Sequence, residues 1–77
     1  MNISDRIRNL REDYDYSQTY IAKQIHVAQT TYSDYENNKV RIPVESLIDL
    51  AQIYNVDMNY ICCLSDEKKH FPKKSNR

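Results

Sequence analysis

Apolar residues recur along this chain at the spacing of α-helices. In the first segment, Ile3, Ile7 and Leu10 stand three or four residues apart, and polar or charged residues fill the positions between them. Such spacing places the apolar side chains on one face of a helix, where they can pack against a core. The same kind of pattern returns four times further along the chain. It predicts five helices, over residues 3–13, 18–25, 29–37, 43–54 and 58–64.

The residues between these segments suit the beginning and the end of helices. The chain contains no glycine and two prolines, which favours helices joined by tight polar connections. Ser17 and Asp57 carry side chains preferred at helix N-caps, and Pro43 suits a first helical turn. His26 can close the second helix in the left-handed conformation, which histidine tolerates better than most residues. The sequence therefore predicts an all-α bundle without strands.

The charge of the chain is balanced overall but unevenly distributed. Eleven basic and eleven acidic residues give a formal net charge of zero, so the field of the whole molecule does not favour nucleic acid. Residues 42–66 contain four acidic and no basic residues, whereas residues 67–77 contain five basic residues and one acidic. The helical pattern ends at residue 65. We therefore expect one small domain over residues 1–65 and a charged, disordered tail over residues 66–77.

Several function classes find no support in the sequence. The two cysteines, Cys62 and Cys63, are adjacent and could close only a strained ring, and neither histidine stands at a zinc-site spacing from them. No metal or cofactor is expected. No apolar run approaches the ~20 residues of a membrane helix, and the N-terminus lacks the apolar region of a signal peptide, which favours a cytoplasmic location. Without a nucleophile–base pair or a glycine-rich phosphate loop, an enzyme is not expected.

Residues 17–39 have the sequence SQTYIAKQIHVAQTTYSDYENNK. This string resembles the helix-turn-helix of Cro and phage repressors, the XRE family. The segments RIRNLRED before it and IPVESLIDLAQIYNVDMNYI after it are similar to that family's first, fourth and fifth helices, so the resemblance covers about residues 3–65. It implies a lambda-repressor-like bundle of five helices, in which the second and third helices form an element that binds double-stranded DNA.

The third helix carries the candidate base contacts. In such an element the second of the two helices enters the major groove. Gln29 is the strongest candidate, because a glutamine amide can bond both N6 and N7 of an adenine. Asp34 either accepts a hydrogen bond from cytosine N4 or tilts to solvent. The alternative is an exposed helix with ordinary polar residues. The full set of candidate base contacts is Gln29, Thr30, Ser33 and Asp34.

The resemblance also implies phosphate contacts and a positioning pair. Cations and amides near helix ends suit phosphate binding. These candidates are Ser17, Gln18, Asn37, Asn38, Lys39 and Arg41. Arg11 and Glu36 match a family pair that links the first helix to the end of the recognition helix. Alternatively, Arg11 and Glu36 are two surface charges that do not contact each other.

Few cations face the predicted DNA, which favours a homodimer with two recognition helices about one DNA turn apart. The candidate self-association residues are Tyr54, Tyr60, Cys63 and Leu64, unless they complete the monomer core. The function expected is a sequence-specific repressor of a palindromic operator, in a phage, mobile-element or antitoxin setting. The sequence does not decide whether the chain also binds a protein partner such as a toxin or an anti-repressor. The alternative function is a helical protein-interaction module that does not bind DNA on its own.

Overall fold

The computed structural model describes residues 1–72, and these residues form five α-helices and no strand. The all-α, five-helix prediction is confirmed for this part of the chain. Its two longest helices have 11 residues each, and no helix among the described residues is long and apolar enough to cross a membrane. The helices are α1 (Ile3–Asp13), α2 (Gln18–Gln24), α3 (Gln29–Glu36), α4 (Val44–Tyr54) and α5 (Met58–Ile61).

The predicted helix-capping residues act as expected. Ser17 Oγ accepts a hydrogen bond from the Tyr20 N–H at 3.0 Å, and Asp57 Oδ1 accepts one from the Tyr60 N–H at 2.9 Å. Each bond satisfies a backbone donor that the first helical turn leaves without a partner. His26 lies in the left-handed region with φ 63°, so the chain turns sharply between α2 and α3 without a glycine.

The ends of four helices differ from the prediction by one to three residues. Pro43 precedes α4 as its N-cap and is not its first helical residue. The largest difference is at α5, which was expected to continue to residue 64 and ends at Ile61. The reason is local, because Cys63 adopts a left-handed conformation with φ 63°. The Leu64 N–H then bonds back to the Asn59 carbonyl at 2.8 Å, which closes the helix end.

Side chains from all five helices meet in one core. Ile7 and Leu10 from α1 pack with Ile21 from α2 and Tyr32 from α3, and α4 and α5 complete the cluster. Tyr32 and Tyr54 are the largest fully buried side chains. Because α2 and α3 both insert apolar residues into this core, the angle between the two helices is fixed by packing.

Residues 66–72 fold back onto the domain. The Asp57 N–H donates to the Lys69 carbonyl at 2.8 Å, and the Phe71 N–H donates to Asn55 Oδ1 at 3.2 Å. The Phe71 side chain also packs against the core cluster. These contacts differ from the expectation of a mobile segment from residue 66, because one apolar side chain and the end of α4 anchor it. Residues 73–77 of the predicted tail lie outside the described residues.

Candidate nucleic-acid interface

The packing of α3 determines which of its side chains face outward. Tyr32, Tyr35 and Glu36 are buried, whereas Gln29 and Thr30 at the start of the helix are exposed. Ser33 and Asp34, the other two candidate base contacts, are half-buried. The turn before the helix is held by a hydrogen bond from the Val27 N–H to the Ala22 carbonyl at 3.0 Å. The polar side chains expected to contact bases therefore lie on the outer side of a rigidly mounted helix.

A chain of hydrogen bonds connects the start of α3 to the start of α2. Gln29 Nε2 donates to Gln18 Oε1 at 2.9 Å, and Gln18 Nε2 donates to Glu36 Oε1 at 3.0 Å. A glutamine amide has two N–H donors and one oxygen acceptor. Gln29 consequently retains its oxygen and one N–H, and Gln18 fixes the orientation of the amide that carries them.

The predicted pair of Arg11 and Glu36 is in direct contact. Arg11 Nε donates to Glu36 Oε2 at 2.6 Å, and Arg11 Nη2 donates to Glu36 Oε1 at 3.0 Å. The hydroxyl of Tyr32 donates to Glu36 Oε2 at 2.5 Å. The Glu36 side chain is only 1 % exposed, while that of Arg11 is 14 % exposed. This bidentate geometry links α1 firmly to the last turn of α3.

The surroundings of Glu36 change the protonation equilibria of the network. Burial alone would raise the pKa of Glu36, but the hydrogen bonds from Arg11, Tyr32 and Gln18 outweigh it and hold the pKa below its ordinary value of 4.5. Burial and the bond to Glu36 raise the pKa of Tyr32. At neutral pH the network therefore contains a buried carboxylate that three neighbouring side chains stabilise.

Arg8 is the residue of this network that the sequence interpretation missed. Arg8 Nη2 donates to the Glu36 carbonyl at 2.7 Å and to Asn37 Oδ1 at 3.2 Å. A cation that bonds the last carbonyls of a helix also interacts favourably with the negative end of its dipole. The available signal was the spacing, because Arg8 precedes Arg11 by three residues and shares its helix face.

The candidate phosphate contacts lie at the start of α2 and just after α3. Ser17 Oγ accepts the N-cap hydrogen bond, and Asn37 accepts from Arg8, so both already act within the protein. Asn38 is left-handed with φ 57°. Lys39 and Arg41 are exposed in the following loop. Their side chains are the cations of this loop, and their role at phosphates stays a prediction.

The candidate self-association residues divide between the core and the surface. Tyr54 is 2 % exposed and fills the centre of the core, so it cannot offer a surface to a second chain. This corrects its assignment to the dimer surface. The ring of Tyr60 is half-buried beneath the Arg6 guanidinium, 3.9 Å from the ring centroid. Cys63 is half-buried, whereas Leu64 is 78 % exposed. Leu64 is thus the candidate with the largest free apolar surface.

The described part of the chain contains no cluster of three or more His, Cys, Asp or Glu side chains suited to hold a metal ion. Both cysteines are free thiols and half-buried. Burial and the neighbouring Cys63 raise the pKa of the Cys62 thiol. Because metal ligands and nucleophiles are thiolates, a raised pKa makes Cys62 less reactive than an exposed cysteine.

Two packed helices joined by a sharp turn, with polar side chains on the outer side of the second, define the class of helix-turn-helix DNA-binding transcription regulators. The chain belongs to the helix-turn-helix family, whose model matches residues 7–61. The family and the fold are those of transcription regulators and not of enzymes, which confirms the expectation that this chain is not an enzyme.

Two known proteins show the likeness in sequence and in fold. An uncharacterized HTH-type transcriptional regulator of Bacillus subtilis (strain 168), YobD, is 32 % identical over 62 residues, which are 80 % of this chain and 55 % of the relative. The chain thus spans about half the length of the curated relative it matches. The crystal structure of the P22 c2 repressor with synthetic operator 9T superposes with a TM-score of 0.73 at 21 % identity, covering 79 % of this chain and 92 % of the other. That match confirms the repressor-like fold.

We predict that lowering the pH removes stability that Glu36 supplies. Its folded pKa lies below the ordinary value of 4.5, so its contribution is fully present above that value and is lost as the pH falls through the folded pKa. Urea unfolding followed by circular dichroism between about pH 7 and pH 3 measures the effect. Glu36→Gln cannot titrate, so its unfolding free energy should fall less steeply with acid. Equal slopes for both proteins would contradict the prediction.

Proposed function

We propose that this chain is a cytoplasmic, sequence-specific repressor that binds operator DNA as a homodimer. The observation that supports it most is the fixed amide of Gln29 at the exposed start of α3, held by Gln18 at 2.9 Å. An amide whose orientation is set before binding loses little conformational entropy when it meets a base. Membership of the helix-turn-helix family supplies the general activity, and this contact supplies the candidate for specificity.

The free groups of Gln29 match an adenine in the major groove. Its oxygen can accept from adenine N6, and its remaining Nε2–H can donate to N7. The Thr30 methyl group is suited to contact a thymine methyl, and Ser33 can donate to or accept from a base edge. Asp34 can accept from cytosine N4. We propose that these four side chains together determine the half-site sequence.

The proposed phosphate contacts flank the base-contacting face on two sides. Gln18 has one Nε2–H that is not used in its bonds to Glu36 and Gln29, and this donor suits a phosphate oxygen. Lys39 and Arg41 add two charges in the loop after α3. Ser17, Asn37 and Asn38 complete the set. Since few cations take part, the affinity should fall less steeply with salt than for strongly basic DNA-binding domains.

The proposed dimer surface combines an exposed side chain with a groove. Leu64 follows Cys63, which lines a groove of about 680 Å³ together with Met1, Ile3, Val40 and other residues. Val40 and Leu64 both expose apolar surface to solvent. In a two-fold dimer each chain would place Leu64 against the groove of the other, which gives the self-complementary contact such symmetry requires. Tyr60 and Cys63 would lie beside this contact.

Selection of bound duplexes from a random DNA library tests the proposal. Purified protein and the variant Leu64→Asp are compared at about 50 and 150 mM salt, a range over which non-specific binding weakens strongly. The unaltered chain should enrich an inverted repeat with half-sites about one helical turn apart. Leu64→Asp should enrich a single half-site, because a carboxylate in an apolar contact prevents dimerisation without disturbing the exposed position it occupies.

The possible outcomes of this selection test the homodimer, the Leu64 contact and DNA binding separately. A single half-site from both proteins would reject the homodimer while preserving DNA binding. An inverted repeat from both would reject Leu64 as a dimer contact. No enriched sequence at either salt, from protein shown to be folded by circular dichroism, would reject the repressor itself.

A further inference from the structure

A row of tyrosine rings lines the turn between α1 and α2. The ring centroids of Tyr14 and Tyr16 are 5.7 Å apart, and those of Tyr16 and Tyr20 are 4.8 Å apart. The row is anchored in the core by Tyr54, whose ring centroid lies 5.2 Å from that of Tyr14. Yet Tyr14 is 46 % exposed and Tyr20 is 44 % exposed. The core therefore buries one end of the row and leaves two tyrosine side chains partly in solvent.

Acidic residues precede and separate these tyrosines in the same turn. Residues 12–22 contain three acidic residues and no basic residue. The acidic side chains, Glu12, Asp13 and Asp15, are all exposed. Lys68 of the C-terminal segment shares a small cleft with Tyr14, but its Nζ lies over the ring of Tyr60, 5.9 Å from the centroid. Lys23, three residues after Tyr20 on α2, is an exposed cation on the same helix face. Three exposed carboxylates outnumber it, so the surface around the tyrosine row carries a net negative charge.

The backbone of this turn is held in one conformation. The Asp15 N–H donates to the Glu12 carbonyl at 3.0 Å, and the Tyr16 N–H donates to the Arg11 carbonyl at 3.1 Å. Arg11 Nη1 also donates to the Tyr16 carbonyl at 2.9 Å. Asp15 keeps a left-handed conformation with φ 57°, which is less favourable for aspartate than for glycine. The backbone that carries the rings and carboxylates is thus held in place, which lowers the entropy lost on binding.

The chemistry of this surface determines what it can bind. DNA does not suit this surface, because exposed carboxylates repel its phosphates. The position on the helix points the same way. Tyr20 follows Gln18 by two residues, so its side chain leaves α2 in nearly the opposite direction from the proposed phosphate contact. A guanidinium group fits both features, because it stacks on aromatic faces and pairs with carboxylates through parallel N–H donors. An ammonium group has the charge but lacks the planar shape.

We propose that the tyrosine–carboxylate surface, formed by Glu12, Asp13, Tyr14, Asp15, Tyr16 and Tyr20, docks an arginine-rich segment of a partner protein. Charge complementarity selects a basic segment, and the aromatic row selects arginine over lysine. The surface lies to the side of the base-contacting face of α3, so the partner and DNA do not compete for the same side chains. This docking is independent of the operator and of the dimer proposed above.

Binding of short labelled peptides to the full chain tests the proposal. The probe is a fluorescent peptide of alternating arginine and serine, compared with the same peptide carrying lysine, by fluorescence anisotropy at about 150 mM salt, where long-range charge effects are screened. The arginine peptide should bind about threefold more tightly than the lysine peptide, because only the planar guanidinium both stacks on the rings and pairs with a carboxylate through parallel N–H donors. Tyr20→Ala and Asp13→Asn should each raise its dissociation constant about threefold or more.

Glu45→Gln is the matched control. Glu45 is an exposed carboxylate in the first turn of α4, so its loss changes the net charge as Asp13→Asn does but leaves the proposed surface intact. Should Tyr20→Ala fail to fold, the exposed substitution Asp13→Asn still decides the question. Equal binding of both peptides, equal losses in Asp13→Asn and Glu45→Gln, or no binding up to about 1 mM would overturn the proposal. Self-association of the chain that Tyr20→Ala abolishes would assign the surface to a second copy and overturn it as well.

Discussion

Replacing Glu36 with alanine is expected to lower the free energy of unfolding by about 3 kcal/mol, because it leaves the largely buried Arg11 guanidinium without its partner. Arg11 makes two hydrogen bonds to this carboxylate and is 14 % exposed. The Tyr32 hydroxyl, which donates to the same group, would also lose its acceptor in the core. A small domain has a total stability of about 5–15 kcal/mol, so the variant should fold but melt at a much lower temperature.

Urea unfolding followed by far-UV circular dichroism measures this change, with the slope of the transition checked for constancy. Glu67→Ala provides the comparison. Glu67 Oε1 lies 3.9 Å from Lys69 Nζ, and both side chains are largely exposed, so its removal should change the stability by less than about 0.5 kcal/mol.

A double-mutant cycle with Arg11→Met separates the ion pair from the cavity left by the side chain. The two substitutions should be strongly non-additive, since either one alone already breaks the pair. If Glu36→Ala cost no more than Glu67→Ala, the contact would contribute no more than an ordinary surface ion pair. The bracing of α3 against α1 would then have to come from apolar packing alone.

The parts of the fold that depend on nearby residues could be predicted from the sequence. Helix positions follow from the spacing of apolar residues, and the starts of α2 and α5 follow from Ser17 and Asp57, because an N-cap acts within three residues of itself. The left-handed His26 was also predictable, since a turn of that length requires one residue with positive φ. These features need no knowledge of the tertiary structure.

Features that depend on contacts between distant segments could not be predicted. Arg8 reaches the end of α3, 28 residues away in sequence, and its spacing from Arg11 indicates a shared helix face but not the distant partner. The packing of Phe71 depends likewise on the geometry of the finished core. Tyr54 shows the limit differently, because the sequence left both a self-association surface and the monomer core open for it, and the finished core buries it.

The candidate interface also contains one contact that was expected from the sequence and one that was not. The contact between Arg11 and Glu36 followed from a resemblance, and the structure joins the two side chains directly. The bond between Gln18 and Gln29 was not expected, although both residues were singled out for DNA. It matters for the proposed function because it joins two separate candidates into one unit, in which the proposed phosphate contact Gln18 orients the proposed base contact Gln29.

Replacing Gln29 with alanine is expected to raise the dissociation constant for the selected operator by about 5- to 150-fold, which corresponds to the loss of one bidentate base contact worth about 1–3 kcal/mol. The loss should depend on sequence. The variant should bind operators with adenine or another base at the contacted position equally well, because the group that distinguishes them is absent. Titration of labelled duplexes with each base at that position, at constant salt, measures both effects.

Gln52→Ala serves as the control, since Gln52 is an exposed glutamine on α4 and should leave the affinity for every duplex unchanged. Gln18→Ala adds a sharper test of the proposed unit. Without Gln18 the Gln29 amide is free to rotate, so affinity should fall and the preference for adenine should weaken but survive. A uniform loss across all four duplexes with Gln29→Ala would instead make Gln29 a phosphate contact, and specificity would then have to come from Thr30, Ser33 and Asp34.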